Sequence, residues 1–226
     1  MYPYFIWKGI SSLDKNIMVT KLPSLERPDA NIEKIAIPGR NGHLTYDDGT
    51  YQGTIKPCEC ALYDGSIDDV SAWLTGSGDV IFSNAPDKVY KATIINKIPF
   101  SKIIPTFHNF IIQFDCQPHK YAIDNPTIAL ASPGTIFNPG TANSKPVVKV
   151  FGTGSIDLNI NDNIIYLTNI VEYVTIDSEL MDAYKDTQLM NNEMIGEFPE
   201  LIPGSNSVNF SGNVSKIEIT PNWRWL

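Results

Sequence analysis

Along most of the chain apolar and polar residues alternate with a period of two, the pattern of strands with one buried and one wet face. Segments at about 16–22, 32–38, 43–47, 51–62, 79–83, 89–98 and 107–117 are expected to be strands on this basis. In "NFIIQFDC", Phe110, Ile112, Phe114 and Cys116 share one face, which predicts a core strand. The stretch "DGSIDDVSAWLTGSG" departs from the alternation. There Ile67, Val70, Trp73 and Leu74 form a helical stripe, and Ser66 is placed to cap its N-terminus. Asp68 and Asp69 sit where the helix dipole favours carboxylates, and Gly76 is placed to close the C-terminus. The prediction is a short helix with Trp73 facing inward, covering a sheet face or edge.

Turn chemistry concentrates between residues 38 and 53. Pro38-Gly39 and Asn41-Gly42 bracket Arg40, so the backbone bends twice within a few residues. Asp48-Gly49 suits a tight hairpin turn that needs positive φ, with Tyr46 and Tyr51 flanking it on paired strands. The combination predicts an arm over about 38–60 that leaves the body of its domain, with an ordinary surface loop as the alternative.

After "FDCQPHKYA" the texture changes. Pro118, Pro126, Pro133, Pro139 and Pro146, interspersed with Gly, Ser and Asn, predict a linker at 121–145 between a domain at 1–120 and another at 146–226. Beyond it, "KPVVKVFG", "SIDLNIND", "NIIYLT", "EYVTIDS", "SVNFSG", "SKIEITP" and "NWRWL" are short strands at the spacing of a β-sandwich or jelly roll. "FGTGS" is expected to be a strand-end or hairpin turn, and "SELMDAYKDTQLMNNEMIGEFPELIPGSN" a long loop. The fold class is therefore mainly β.

Composition narrows the function. A formal net charge of −8 with no basic run argues against an electrostatic nucleic-acid binder. The opening "MYPYFIWKGISSLDK" lacks the plan of a secretory signal, so synthesis and retention in a cytoplasm are expected. No apolar run approaches the roughly 20 residues of a membrane helix. Cys58, Cys60 and Cys116 make an odd count and are expected to be reduced thiols. With His119 they could in principle complete a zinc tetrahedron, but C-x-C lacks the two-residue knuckle of most structural sites, and core packing of the thiols is the preferred reading. No phosphate loop, dinucleotide fingerprint, metalloprotease helix or nucleophile elbow is present, so neither an enzyme nor a cofactor is expected. Aromatic residues on a sandwich can stack on sugar rings, which singles out Tyr166, Tyr184, Trp223 and Trp225. Trp223 and Trp225 lie on one face of their strand and Arg224 on the other, and burial is the commoner fate of such indoles.

Four fragments in order carry a family resemblance: "IPGRNGHLTYDDGTY", "WLTGSGDVIFSNAPDKVYKATI", "FIIQFDCQPHKY", and "GEFPELIPGSNSVNF" leading into "ITPNWRWL". With them the chain resembles the distal tail proteins of phages with long non-contractile tails and of their prophages. It departs in carrying Asn41 where the family often has an acidic residue, and in lacking the long inserted modules with which some relatives bind saccharides. The resemblance implies a tail-tube-like β-sandwich with one flanking helix, followed by a galectin-like, jelly-roll sandwich. It implies a virion structural protein at the distal tail tip, a homohexameric ring with a stacked double ring as a variant. Implied partners are the tail tube protein, the tail-associated protein and the receptor-binding protein, with DNA passing through the channel unbound and no membrane contact. The arm, with Arg40, Asn41, Tyr46, Asp47, Asp48 and Tyr51, becomes the expected oligomer interface, and "NWRWL" the closing strand of the outer sandwich. Tyr184, Trp223 and Trp225 are candidate aromatic contacts of the outer domain. A carbohydrate-binding module of a cell-surface-recognition apparatus is the alternative function.

Overall fold

The computed structural model describes residues 2–104 and 107–226. The chain divides into two compact units, one ending at Lys120 and including Leu226, the other covering Tyr121–Trp225.

The first unit contains β1 (Phe5–Trp7), β2 (Ile10–Ser11), β3 (Ile17–Lys21), β4 (Ala30–Ala36), β5 (His43–Tyr51) and β6 (Thr54–Tyr63). The helix α1 (Ile67–Trp73) follows, then β7 (Ser77–Phe82), β8 (Lys88–Ile94), β9 (Ser101–Ile104) and β10 (Phe107–Ala122). Strand order is β2-β1-β7-β8-β10-β6-β3, with β9 also on β10. Alternation works as expected on β10: Phe110, Ile112, Phe114 and Cys116 are all buried, and their neighbours point outward. Phe114 meets the rings of Phe5 at 5.5 Å, Trp7 at 5.5 Å and Phe82 at 5.6 Å. Because β7 and β8 lie between β1 and β10 in the strand order, these contacts require the sheet to curl back over its own inner face.

Helix α1 forms where its stripe predicts. Ser66 Oγ accepts from the Asp69 amide at 3.3 Å, Asp68 and Asp69 occupy the first turn, and Gly76 takes φ +69° just past the end. Val70 and Leu74 are buried, while Trp73 stacks on Phe5 at 5.8 Å with planes 10° apart. The Trp7 indole N–H donates to the Trp73 carbonyl at 3.2 Å, fixing the helix to the sheet.

The second unit contains β11 (Ile128–Leu130), β12 (Gly134–Asn138), β13 (Val147–Ile160), β14 (Asn163–Ile170) and β15 (Tyr173–Asp177). Next come β16 (Asp182–Lys185), β17 (Gln188–Leu189), β18 (Met194–Ile195), β19 (Gly204–Thr220) and β20 (Arg224–Trp225). The order β11-β19-β13-β15-β16-β17 is extended by β12 on β19, β14 on β13 and β18 on β14. Val148, Val150, Ile156, Leu158, Ile165, Leu167, Ile176, Ile217 and Ile219 fill its core.

Four elements differ from what the sequence predicts. The proline-rich stretch 121–145 carries β11 and β12, which pair with β19; its prolines flank the strands and leave their ladder amides intact. "FGTGS" is not a turn but lies inside one long strand, with register shifts against β19 at Phe151/Gly152 and Thr153/Ile156. The presumed loop before residue 204 holds β16, β17 and β18. "NWRWL" yields only two strand residues, on β10 instead of the second sheet: the Ala122 amide donates to the Trp223 carbonyl at 3.0 Å.

The bulges on β13 depend on missing side chains. A Cβ at Gly152 would lie 2.4 Å from the Asn213 carbonyl oxygen, and one at Gly212 (φ +97°) would lie 2.5 Å from that of Ser155. Both obstacles are backbone in the central strand pair. Gly152→Ala is therefore expected to destabilise the second unit by about 1–3 kcal/mol, read as a lowered thermal midpoint.

Candidate assembly interface

The strands β4 and β5 form a separate two-stranded sheet, not part of either large one. Pairing runs Ile32 to Asp47, Glu33 to Tyr46, Lys34 to Thr45, Ile35 to Leu44 and Ala36 to His43. The hairpin bend is therefore at residues 37–42, where the Arg40 amide donates to the Ile37 carbonyl at 3.1 Å and Gly39 and Gly42 take positive φ. This corrects the placement of the turn at Asp48-Gly49. Those residues sit in a bulge of β5, across from the register shift between Ala30 and Ile32. The Gly49 amide donates to Asp47 Oδ1 and the Thr50 amide to Asp48 Oδ1, each at 2.9 Å, while Thr50 Oγ1 donates to Asp48 Oδ1 at 2.7 Å. The side chains thus satisfy the bulged backbone, and a dipeptide that suits a turn is absorbed into a strand. The Thr50 hydroxyl, followed by its amide, holds the Asp48 carboxyl below its ordinary range.

The arm consequently spans 30–51, and β6 belongs to the large sheet of the first unit. Every residue from Ile32 to Thr50 is exposed. Its register puts Glu33, Ile35, Leu44 and Tyr46 on one face and Ile32, Lys34, Ala36, His43, Thr45 and Asp47 on the other. The first face leaves Ile35 41%, Leu44 49% and Tyr46 58% accessible. An isolated two-stranded ribbon is marginal in water, and one bearing a bare apolar face gains by being covered.

Among the residues singled out from sequence, Arg40 and Asn41 occupy the exposed tip, Tyr46 lies on the apolar face, and Asp47 and Asp48 build the bulge. Tyr51 is at the root, half-buried, edge-on to His119 at 6.4 Å and below the Arg27 guanidinium at 5.8 Å. Tyr46 and Tyr51 therefore do not face each other across a turn. Ile35 and Leu44 are additions; in sequence their alternation was indistinguishable from that of a core strand.

In the second unit Trp223 is 8% exposed and belongs to the core, with Trp225 packed against it. Tyr184 is half-buried on β16. The three thiols are buried in the first core, with Cys58 and Cys60 Sγ 3.7 Å apart. The neighbouring Cys58 thiol and burial push Cys60 up, and burial pushes Cys116 up to about 12, so both remain protonated. Among the described residues no group of three or more His, Cys, Asp or Glu side chains converges as a metal site.

The chain is mainly β, with two compact units, one large sheet in each, and a separate two-stranded hairpin. The chain is similar to the crystal structure of SPP1 Dit (gp 19.1), described as a paradigm of the hub adsorption apparatus in phages that infect Gram-positive hosts. The two superpose with a TM-score of 0.79 over 100% of both chains, at 15% sequence identity. The fold is shared. No family model and no curated protein matches the sequence.

Proposed function

We propose that the protein is a structural subunit of a phage or prophage tail tip, not an enzyme. It assembles as a hexameric ring that joins the tail tube to the tail-associated and receptor-binding proteins and lets DNA pass through its channel. The observation that carries this reading is the bare arm, exposed from Ile32 to Thr50. A hairpin that projects from one copy and lies on the next makes a head-to-tail contact, and such contacts close into rings when the rotation permits. Pairing by a projecting hairpin also supplies directional main-chain bonds. The first unit forms the ring, and the second contacts the receptor-binding apparatus. The fold shared with SPP1 Dit supports the role. The burial of Trp223 disfavours the alternative in which that indole is a saccharide platform.

The formal charge of −8 fits a DNA channel, because carboxylates facing the lumen repel phosphates and keep the genome from adhering. Electron microscopy of the purified protein tests the proposal. Sixfold rings with a central opening are expected, and a channel lined mainly by Lys and Arg would contradict the electrostatic part.

A further inference from the structure

One face of the second unit gathers three lysines around two aromatic rings. Across neighbouring strands β19, β13, β15 and β16, one row reads Glu218, Lys149, Thr175, Tyr184 and the next Lys216, Phe151, Tyr173. Lys149 Nζ stands 3.9 Å from the Tyr173 ring centroid and 5.0 Å from that of Phe151. Lys216 Nζ lies 4.4 Å from Phe151 and Lys185 Nζ 5.2 Å from Tyr173. Residues 149, 151, 173 and 216 come from three strands, so no local pattern announces the cluster.

The three charges are not equivalent. Lys216 pairs with Glu218 at 2.6 Å and Lys185 with Glu172 at 2.7 Å, whereas Lys149 has no carboxylate within 4.0 Å among the described residues. Aromatic faces fix an ammonium group without neutralising it, so Lys149 is a positioned cation with its charge still available. Around it stand groups that suit hydroxyls: Tyr184, the carboxylates of Glu172 and Glu218, and Asp186, which accepts from the Tyr173 phenol at 2.5 Å. Those same carboxylates repel a densely charged polyanion such as a nucleic acid. A ligand that matches both features carries isolated acid groups among many hydroxyls.

We infer that this face of the second unit binds an acidic glycan, with a sugar carboxylate or phosphate on Lys149 and sugar hydroxyls on the flanking Lys–Glu pairs and tyrosines. The site lies within one unit, so it does not depend on ring assembly.

The test uses the full-length protein on an immobilised panel of phosphorylated, uronic-acid-containing and neutral oligosaccharides, with an oligothymidylate as the polyanion control. Retention of acidic glycans over their neutral counterparts and over the oligothymidylate is expected. Lys149→Met keeps the side-chain stem on the rings and removes the charge. It should weaken binding about tenfold or more, the scale of a lost charge-assisted hydrogen bond. Lys149→Arg should retain binding, and Lys97→Met, at an exposed position of the first unit away from the arm, should leave it unchanged. Thermal midpoints matching wild type confirm that Lys149→Met is folded; if it is not, Lys216→Met is expected to weaken acidic-glycan binding on its own. Failure of wild type to retain any acidic glycan, equal retention of neutral glycans or oligothymidylate, or wild-type affinity in folded Lys149→Met would each overturn the assignment.

Discussion

Excising residues 32–50 and bridging the gap with a short Gly-Ser linker is expected to leave a folded monomer that cannot form rings. The arm contributes no residue to the core of the first unit, which is built from β1, β3, β6, β7, β8, β10 and α1. Removing it should shift the thermal midpoint by only a few degrees, since exposed ribbons add little to global stability. The interface loses much more. Ile35, Leu44 and Tyr46 are already about half covered, so burying the remainder against a neighbour would contribute roughly 1 kcal/mol per side chain at each contact. Part of that gain is offset by the cost of fixing two chains together. A milder version, Leu44→Asp, places a charge at the centre of the apolar face and should weaken assembly while leaving the fold intact. Rings that persist after excision would show that the arm is not the main contact.

Phe114→Ala is expected to destabilise the first unit by about 3–5 kcal/mol, the range for removing a large buried aromatic side chain. Phe114 is fully buried and touches Phe5, Trp7 and Phe82, which come from two other strands of the curled sheet. These contacts hold the fold-back together, so the cavity cannot collapse without uncurling the sheet. The loss corresponds to a drop of roughly 10 °C or more in the midpoint for a unit of this size. Tryptophan fluorescence reads it directly, because Trp7 and Trp73 belong to the affected core. A change of less than a few degrees would mean that the rings do not hold the two ends of the sheet together.

Elements governed by local chemistry were legible in the sequence. Helix α1 follows from Ser66, Asp68, Asp69 and the stripe from Ile67 to Leu74, all of which act within two turns. The central part of β10 follows from alternation alone, because Phe110, Ile112, Phe114 and Cys116 all meet one core. Where several local signals competed, tertiary partners decided. Pro38-Gly39, Asn41-Gly42 and Asp48-Gly49 are each competent turns, and the hairpin bends at 37–42 while Asp47 and Asp48 bond the bulge. The stretch 121–145 and the segment before residue 204 contain strands too short to show periodicity. Their existence depends on ladders offered by β19 and β14, distant in sequence, and by the adjacent β15.

The candidate sites divide in the same way. Arg40, Asn41, Tyr46, Asp47, Asp48 and Tyr51 were identifiable because glycines and turn formers mark an arm. Ile35 and Leu44 were not, since an exposed apolar face has the same alternation as a buried one. The cluster around Lys149 is assembled by register between strands, so only the pairing of Phe151 with Tyr173 and Lys216 reveals it.

The proposed ring requires the arm of one copy to be covered by another. The most direct test is the solution mass of the purified protein by light scattering behind a sizing column, across a range of concentration and salt. A mass of six chains, or of twelve if two rings stack, is predicted, falling to one chain when residues 32–50 are excised. A monomer at the highest concentration, with the arm intact and still accessible to protease, would rule out assembly through the arm.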